Sequence, residues 1–394
     1  MFSRRIKHGV FVLEALNSIS TTLYFYYLYF FMQQQFGFGR MQNLLLAAGL
    51  GFVYVPAALF GGRFAQRRGY FLALRVGFFV MAVSLVVGSF LQGLLPHLLV
   101  AIVCTIGMCF TWPTLEAIVS EKETPAHLQK LIGIYNLVWA GFGAAAFFIG
   151  GAMLETFGLR SMFLVPAGII GVQFAVAWIL ERQSLRTATP ELIPSASHLI
   201  FNEPIPANLA VSPATFLKMA WLANPFAYLA INTVVAVIPS IAAKLGLSAA
   251  QAGFFCSVWF FVRTASFALL WKWNGWHYRF TWLLLSFAAV LVSFVFILLA
   301  PNLGALIGAQ IAFGLALGLI YYSSLYYSME VGETKGEHGG IHEAAIGVGN
   351  CAGPAVGATA LYFFPQHVHS STIAVSGFLL IGLLGLLWLR FKRI

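Results

Sequence analysis

The sequence predicts an all-α membrane protein in which twelve transmembrane helices form two pseudo-symmetric six-helix bundles. Three observations predict it. Of 394 residues, 60% are hydrophobic and 9% charged, with mean hydropathy +0.87. Soluble domains carry about 25% charged residues, so the solvent here must be lipid. Apolar runs near the length needed to cross a bilayer, about 20 residues, recur twelve times. The basic residues gather on alternate connections between those runs.

The first run, 10–32, follows Arg4-Arg5-Ile6-Lys7. It exceeds the roughly 7–15 apolar residues of a signal peptide and has no clear small-residue cleavage site, so it reads as a retained span. Spans near 41–61, 71–93, 97–119, 131–153 and 161–180 complete the first bundle, expected over 1–180. The segment 181–218 is the only long polar stretch. Pro190, Pro194, Pro204, Pro206 and Pro213 discourage a continuous helix there, and it reads as a cytoplasmic linker. The second bundle, 219–394, holds spans near 220–241, 249–270, 280–300, 303–328, 342–364 and 371–390.

With the N-terminus inside, eighteen of the 22 Lys and Arg lie on cytoplasmic segments. Arg40, Arg160 and Lys244 fall outside, and Arg263 falls within a span. The positive-inside rule therefore places both termini in the cytoplasm. It also accounts for the net charge of +10 without nucleic acid, for which no basic domain is present. Cys104, Cys109, Cys256 and Cys351 all lie in apolar runs without metal-ligand spacing, so neither metal nor disulfide is expected. No cofactor is expected. The compact chain suits a bacterial inner membrane, and a monomer is expected.

The halves repeat at an offset of 209 residues. Phe36-Gly37-Phe38 maps onto Leu245-Gly246-Leu247, Arg68 onto His277, Glu121 onto Glu330 and Ile132 onto Ile341. Such repeats read as two similar bundles facing one another across a central cavity.

Between the second and third spans lies Gly61-Gly62-Arg63-Phe64-Ala65-Gln66-Arg67-Arg68-Gly69. Its arginines must face water, and its glycines read as a tight turn between antiparallel spans. With the 6+6 spans, the central linker and the inward termini, this segment resembles the major facilitator superfamily. The superfamily's signature is a Gly, three variable residues, Asp, Arg, a variable residue and Gly. Here Gly62, Gln66, Arg67 and Gly69 occupy its fixed positions, so an amide replaces the acid. The resemblance implies a secondary transporter working by alternating access. It also implies a cytoplasmic gate in which Glu121 and Glu330 meet Arg67 and Arg68, with a charge relay that Gln66 can support only by hydrogen bonds.

Small residues crowd the fifth span, around Gly141–Gly151, and the eleventh, around Gly347–Gly357. They suit a close, sliding contact between halves. Ionisable groups inside spans are costly and usually functional. Arg263 is the leading candidate to bind an anionic or polar substrate. Glu14, one turn before Asn17, and Glu116, after Trp112-Pro113, are the candidate proton-coupling acids. His342-Glu343 reads as the start of the eleventh span, with Glu favoured there by the helix dipole. The resemblance implies that spans one, four, seven and ten line the cavity. Those spans carry Asn17, Tyr24, Tyr27, Trp112, Asn232, Tyr321 and Tyr322, while Asn136, Trp139, Trp259 and Asn350 come from spans five, eight and eleven. Rings with a few amides suit a small polar organic substrate. No nucleotide-binding motif accompanies the spans, so protons are the expected driver. The alternatives are export of a drug- or lipid-like compound, and a non-transporting membrane sensor.

Overall fold

The structure, a computed structural model, describes residues 4–121, 125–187, 212–331 and 335–392. Its regular structure is entirely helical among the described residues. The first six helices are α1 (Arg4–Phe36), α2 (Arg40–Arg68), α3 (Tyr70–Gly88), α4 (Leu94–Ser120), α5 (Pro125–Phe157) and α6 (Ser161–Thr187). The second six are α7 (Pro213–Lys244), α8 (Ala249–Lys272), α9 (Phe280–Leu299), α10 (Leu303–Val331), α11 (Lys335–Phe363) and α12 (Ser370–Phe391). The middle of the expected linker, 188–211, lies outside the described residues.

Eleven of these helices are long and apolar enough to cross a membrane. The twelfth, α1, has the length at 33 residues. Its apolar run is diluted by Asn17, Ser18, Ser20, Thr21 and Thr22, all of which point inward and are buried. Large apolar side chains such as Phe52, Phe60, Phe79, Leu95 and Phe296 stand exposed on the outside, as lipid-facing residues do. The protein is an integral membrane protein, and polarity in it increases toward the centre.

The repeat is visible in the backbone. Gly37 and its offset mate Gly246 both take left-handed φ, +68° and +67°. Gly69 (φ +104°) ends α2, and its mate Tyr278 (φ +51°) is the one non-glycine with positive φ among the described residues. Left-handed backbone costs a side-chain-bearing residue about 1–2 kcal/mol. Tyr278 is held there by its N–H, which donates to Tyr327 Oη at 2.9 Å, and by its ring against Phe216 and Tyr327.

The halves meet along two long seams, α2 against α11 and α5 against α8. Glycine makes both possible. A side chain on Gly51 would strike the α11 backbone at Asn350 and Cys351, and one on Gly151 would strike Ala249 of α8. Near the end that carries both chain termini, Gly340 lies against Ala58 and Gly62, and Gly133 against Trp271.

Three local expectations are corrected. The segment from Gly61 to Arg68 is not a loop, because α2 runs through it and only Gly69 turns. Gly61 instead lets α2 touch the Cys109 carbonyl of α4, and Gly62 lets it touch Gly340. Next, α4 and α8 are each interrupted, by a turn at 109–111 and at Ser257. Finally, α11 starts at Lys335, so His342 and Glu343 lie two turns inside the helix and are buried rather than at its solvated start.

Candidate transport site

Stripes at helical spacing line one central cavity of about 180 Å³. On α1 the stripe is Ser18, Thr21, Thr22, Phe25, Tyr26 and Tyr29; on α2 it is Ala47, Leu50, Gly51 and Tyr54. The second half answers with Tyr228, Ile231, Asn232 and Val235 on α7, and Glu343, Ile346 and Asn350 on α11. Thr105, Met108 and Trp112 of α4, Tyr135 and Trp139 of α5, Phe260 of α8 and Tyr321 of α10 complete it. Both halves therefore contribute walls, rings and hydrogen-bonding groups.

Of the sequence-selected substrate residues, Trp112, Trp139, Asn232, Tyr321 and Asn350 line the cavity. The amides of Asn232 and Asn350 bond to each other, and Asn232 Nδ2 also reaches the Tyr228 carbonyl at 3.3 Å. Asn136 is buried behind the wall, accepting from Trp139 Nε1 at 3.2 Å. Tyr24 packs away from the cavity against Phe163, and Tyr322 packs against Trp276 and Phe267. Trp259 stacks on Phe260, and the Tyr27 hydroxyl donates to the Phe147 carbonyl. Asn17 is fully buried on α1, with neither side-chain amide atom partnered among the described residues.

Arg263 stands directly behind the aromatic wall. Its guanidinium carbon lies 4.8 Å from the ring centres of Trp139 and Tyr321, and 5.5 Å from those of Tyr228 and Phe267. Only 2% of it is exposed. Its Nη2 donates to Tyr228 Oη at 3.3 Å, and its Nε has no acceptor among the described residues. Desolvated cation–π contacts are worth about 2 kcal/mol or more, so the cage holds a buried cation that no carboxylate neutralises among the described residues. Tyr228 carries the influence of that charge to the cavity surface.

The buried acids come from both halves, Glu14 and Glu116 from the first and Glu343 from the second. Glu14 and Glu116 are buried, and none of their four carboxyl oxygens has a hydrogen-bond donor among the described residues. Glu116 lies within electrostatic range of Glu14 and in hydrogen-bond reach of Glu343. Glu343 also accepts a hydrogen bond from the Tyr54 hydroxyl of α2. Tyr54 is a functional candidate that sequence reasoning missed, and Glu343 is one that it read as a helix start. The Ser/Thr/Tyr stripe of α1 is a signal that could have pointed to the cavity face.

At the end carrying the termini, Gly62 packs in the seam, while Arg67 and Arg68 are exposed to solvent. Gln66 Oε1 accepts from the Tyr70 hydroxyl at 3.2 Å, and Tyr70 also hydrogen-bonds Glu121. The single proton of this phenol can serve the amide or the acid, where the signature has an ion-pairing carboxylate. The side chain of Glu330 lies outside the described residues.

Two helical bundles around a central cavity that both of them line define a membrane transporter by class. The chain belongs to the Major Facilitator Superfamily, whose profile matches residues 10–223. It is 28% identical over 134 residues to a quinate permease of Neurospora terricola, a match covering 32% of this chain and 25% of that protein. An MFS-type transporter, qa-x, of Neurospora crassa matches over the same shares at 28% identity. The match thus spans about a quarter of these relatives' length. Among solved structures, the human organic anion transporter TETRAN superposes with TM-score 0.70 at 12% identity, covering 97% of this chain and 99% of that one. The nucleoside transporter NupG gives 0.69 at 14% identity, over 98% and 100%. A bacterial homologue of the human lysosomal transporter Spinster gives 0.67 at 13% identity, over 98% and 95%. At these identities the likeness is one of fold.

Proposed function

We propose that this protein is a proton-coupled secondary transporter that carries one small, polar organic solute by alternating access. The observation that supports the solute class best is the cavity itself. It holds rings for stacking, a pair of amides joining α7 to α11 and a ladder of hydroxyls on α1, with the Arg263 charge one layer behind. Such a surface suits a ring-bearing solute with several hydroxyls and at most one negative charge. The similarity to a quinate permease supports the same class. Glu14 and Glu116 take the role of proton-coupling acids, and the Gln66–Tyr70–Glu121 link takes that of the gate contact.

The cavity volume weighs against the exporter reading. Pockets that hold drug-sized ligands are typically about 300–1,000 Å³, and this one is about 180 Å³. The distribution of basic residues supports cytoplasmic termini, and a monomer suffices because both walls come from one chain. The compact chain suits a bacterial inner membrane, although the curated relatives that it matches are fungal.

The test is a thermal-shift screen of purified protein against cyclic hydroxy acids, sugars, nucleosides, amino acids and amphipathic drugs, since a ligand that binds the folded state raises its melting temperature. A hit among the small hydroxylated solutes, followed by its uptake into proteoliposomes, is expected. Stabilisation by the amphipathic drugs alone would overturn the assignment.

A further inference from the structure

Glu343 belongs to the second half of the chain, yet its carboxyl is held by two side chains of the first. The Tyr54 hydroxyl of α2 donates to it, and the Glu116 carboxyl of α4 lies in hydrogen-bond reach of it. Neither oxygen of Glu116 has any other donor among the described residues. Two bare carboxylates repel at such a separation in a dry site, whereas one proton between them converts the contact into a hydrogen bond.

The pair has a particular place in the fold. On one side Glu343 forms part of the cavity wall. On the other, one turn back along α11, Gly339 and Gly340 press against Pro113 of α4 and against Ala58 and Gly62 of α2. That contact is the seam between halves at the end carrying the termini. The ionisable groups facing the pair are Glu14 from α1, Tyr54 from α2, Cys109 from α4, Tyr135 from α5, Tyr228 from α7 and Tyr321 from α10. His342 precedes Glu343 on α11 and turns its ring edge toward Tyr321. No Lys or Arg pairs with either carboxyl among the described residues.

We propose that Glu116 and Glu343 form a single proton-binding site shared between the two halves, and that release of its proton opens the seam at the end carrying the termini. With the proton bound, the two carboxyls and Tyr54 tie α11 to α4 and α2. With the proton lost, the carboxylates repel across the plane along which the halves separate, and Glu14 behind Glu116 adds to that repulsion. This deepens the proton-coupled reading above and rests on it for its use in transport. It assigns the inter-half role to Glu343 rather than to Glu14.

The test measures separation across the seam without any solute. Spin labels at Lys130→Cys and Asn274→Cys, both exposed positions flanking the Gly133–Trp271 contact, are introduced in the full chain with Cys351→Ala. Distances are recorded in lipid nanodiscs in steps from about pH 5 to about pH 10, a span that includes the roughly pH 8–9 reached by buried glutamates. The population at the wider separation is expected to rise about tenfold across that span. In the Glu116→Gln/Glu343→Gln double variant, whose amides bond without charge, the narrow separation is expected throughout. Glu14→Gln is expected to keep most of the response. A wild-type distance that ignores pH, or a folded double variant that retains the response, overturns the shared site. A pH-driven distance change in a protein that moves no solute instead counts against the transport reading alone.

Discussion

The two halves share one helix plan but differ in the charge they bury, with Glu14 and Glu116 in the first and Arg263 and Glu343 in the second. The first half encloses Glu14 and Glu116, beside the amide of Asn17, which has no partner among the described residues. The second half encloses Arg263, wrapped by Tyr228, Phe267 and Tyr321 and by Trp139 reaching across from α5. Among the described residues, no ion pair neutralises Glu14, Glu116 or Arg263. A structural ion pair would have put acid and base together; here they stand on different sides of one cavity. On the proposed reading that separation divides the work, with a proton taken by the acids and a polar or anionic solute sensed on the aromatic side.

The sharpest break of this contrast is Arg263→Met, which keeps the aliphatic stem in the cage and removes the charge. Solute affinity is expected to fall at least about 100-fold, about 2.7 kcal/mol, measured by isothermal titration with the screen's best ligand. Unchanged affinity in a monodisperse protein would remove Arg263 from the site. On the acidic side, Glu116→Gln is expected to abolish accumulation driven by a pH gradient and to preserve solute counterflow. Continued accumulation would exclude Glu116 as the coupling acid.

A smaller effect sharpens the link between cage and cavity. Tyr228→Phe removes the hydroxyl to which Arg263 Nη2 donates at 3.3 Å. A hydrogen bond to a charged group is worth about 1.5–3 kcal/mol, and part of it is replaced by water or solute, so a loss in affinity of about five- to tenfold is expected. Equal binding by the phenylalanine variant would mean that the charge does not reach the solute through Tyr228.

The smallest effect lies outside the membrane. His277, in the connection between α8 and α9, is pushed down from 6.5 to about 4 by burial, with its ring stacked on Tyr326 at 4.6 Å. The unfolded chain therefore binds a proton near pH 6.5 that the folded chain refuses until about pH 4. Stability from this site is complete above the upper value and is lost as pH falls between the two. His277→Gln is expected to flatten the acid limb of the melting curve in that window, read by scanning fluorimetry. An unaltered acid limb would contradict the assignment.

Most of the architecture was legible because lipid leaves a coarse record. Span length, the scatter of arginines and the offset of 209 residues carry it directly, and the matching left-handed turns at Gly37 and Gly246 show the repeat in three dimensions. The site was legible only in part. Helices apolar on every side carry little rotational signal, so Tyr24 and Tyr322 could be placed on the right spans but not on a face. Glu343 was misplaced for another reason. The apolar run of α11 begins near residue 342, while the helix begins two turns earlier, in polar sequence. Its contact with Tyr54 is 289 residues away in the chain, and no local pattern records it.

The most direct measurement of the central claim is uptake of the best-binding solute into proteoliposomes under an imposed pH gradient, compared with uptake after a protonophore collapses it. The account predicts accumulation above equilibrium in the wild type that the protonophore abolishes, and no accumulation in either Arg263→Met or Glu116→Gln. Uptake that ignores the gradient, or accumulation that survives in both variants, would contradict it.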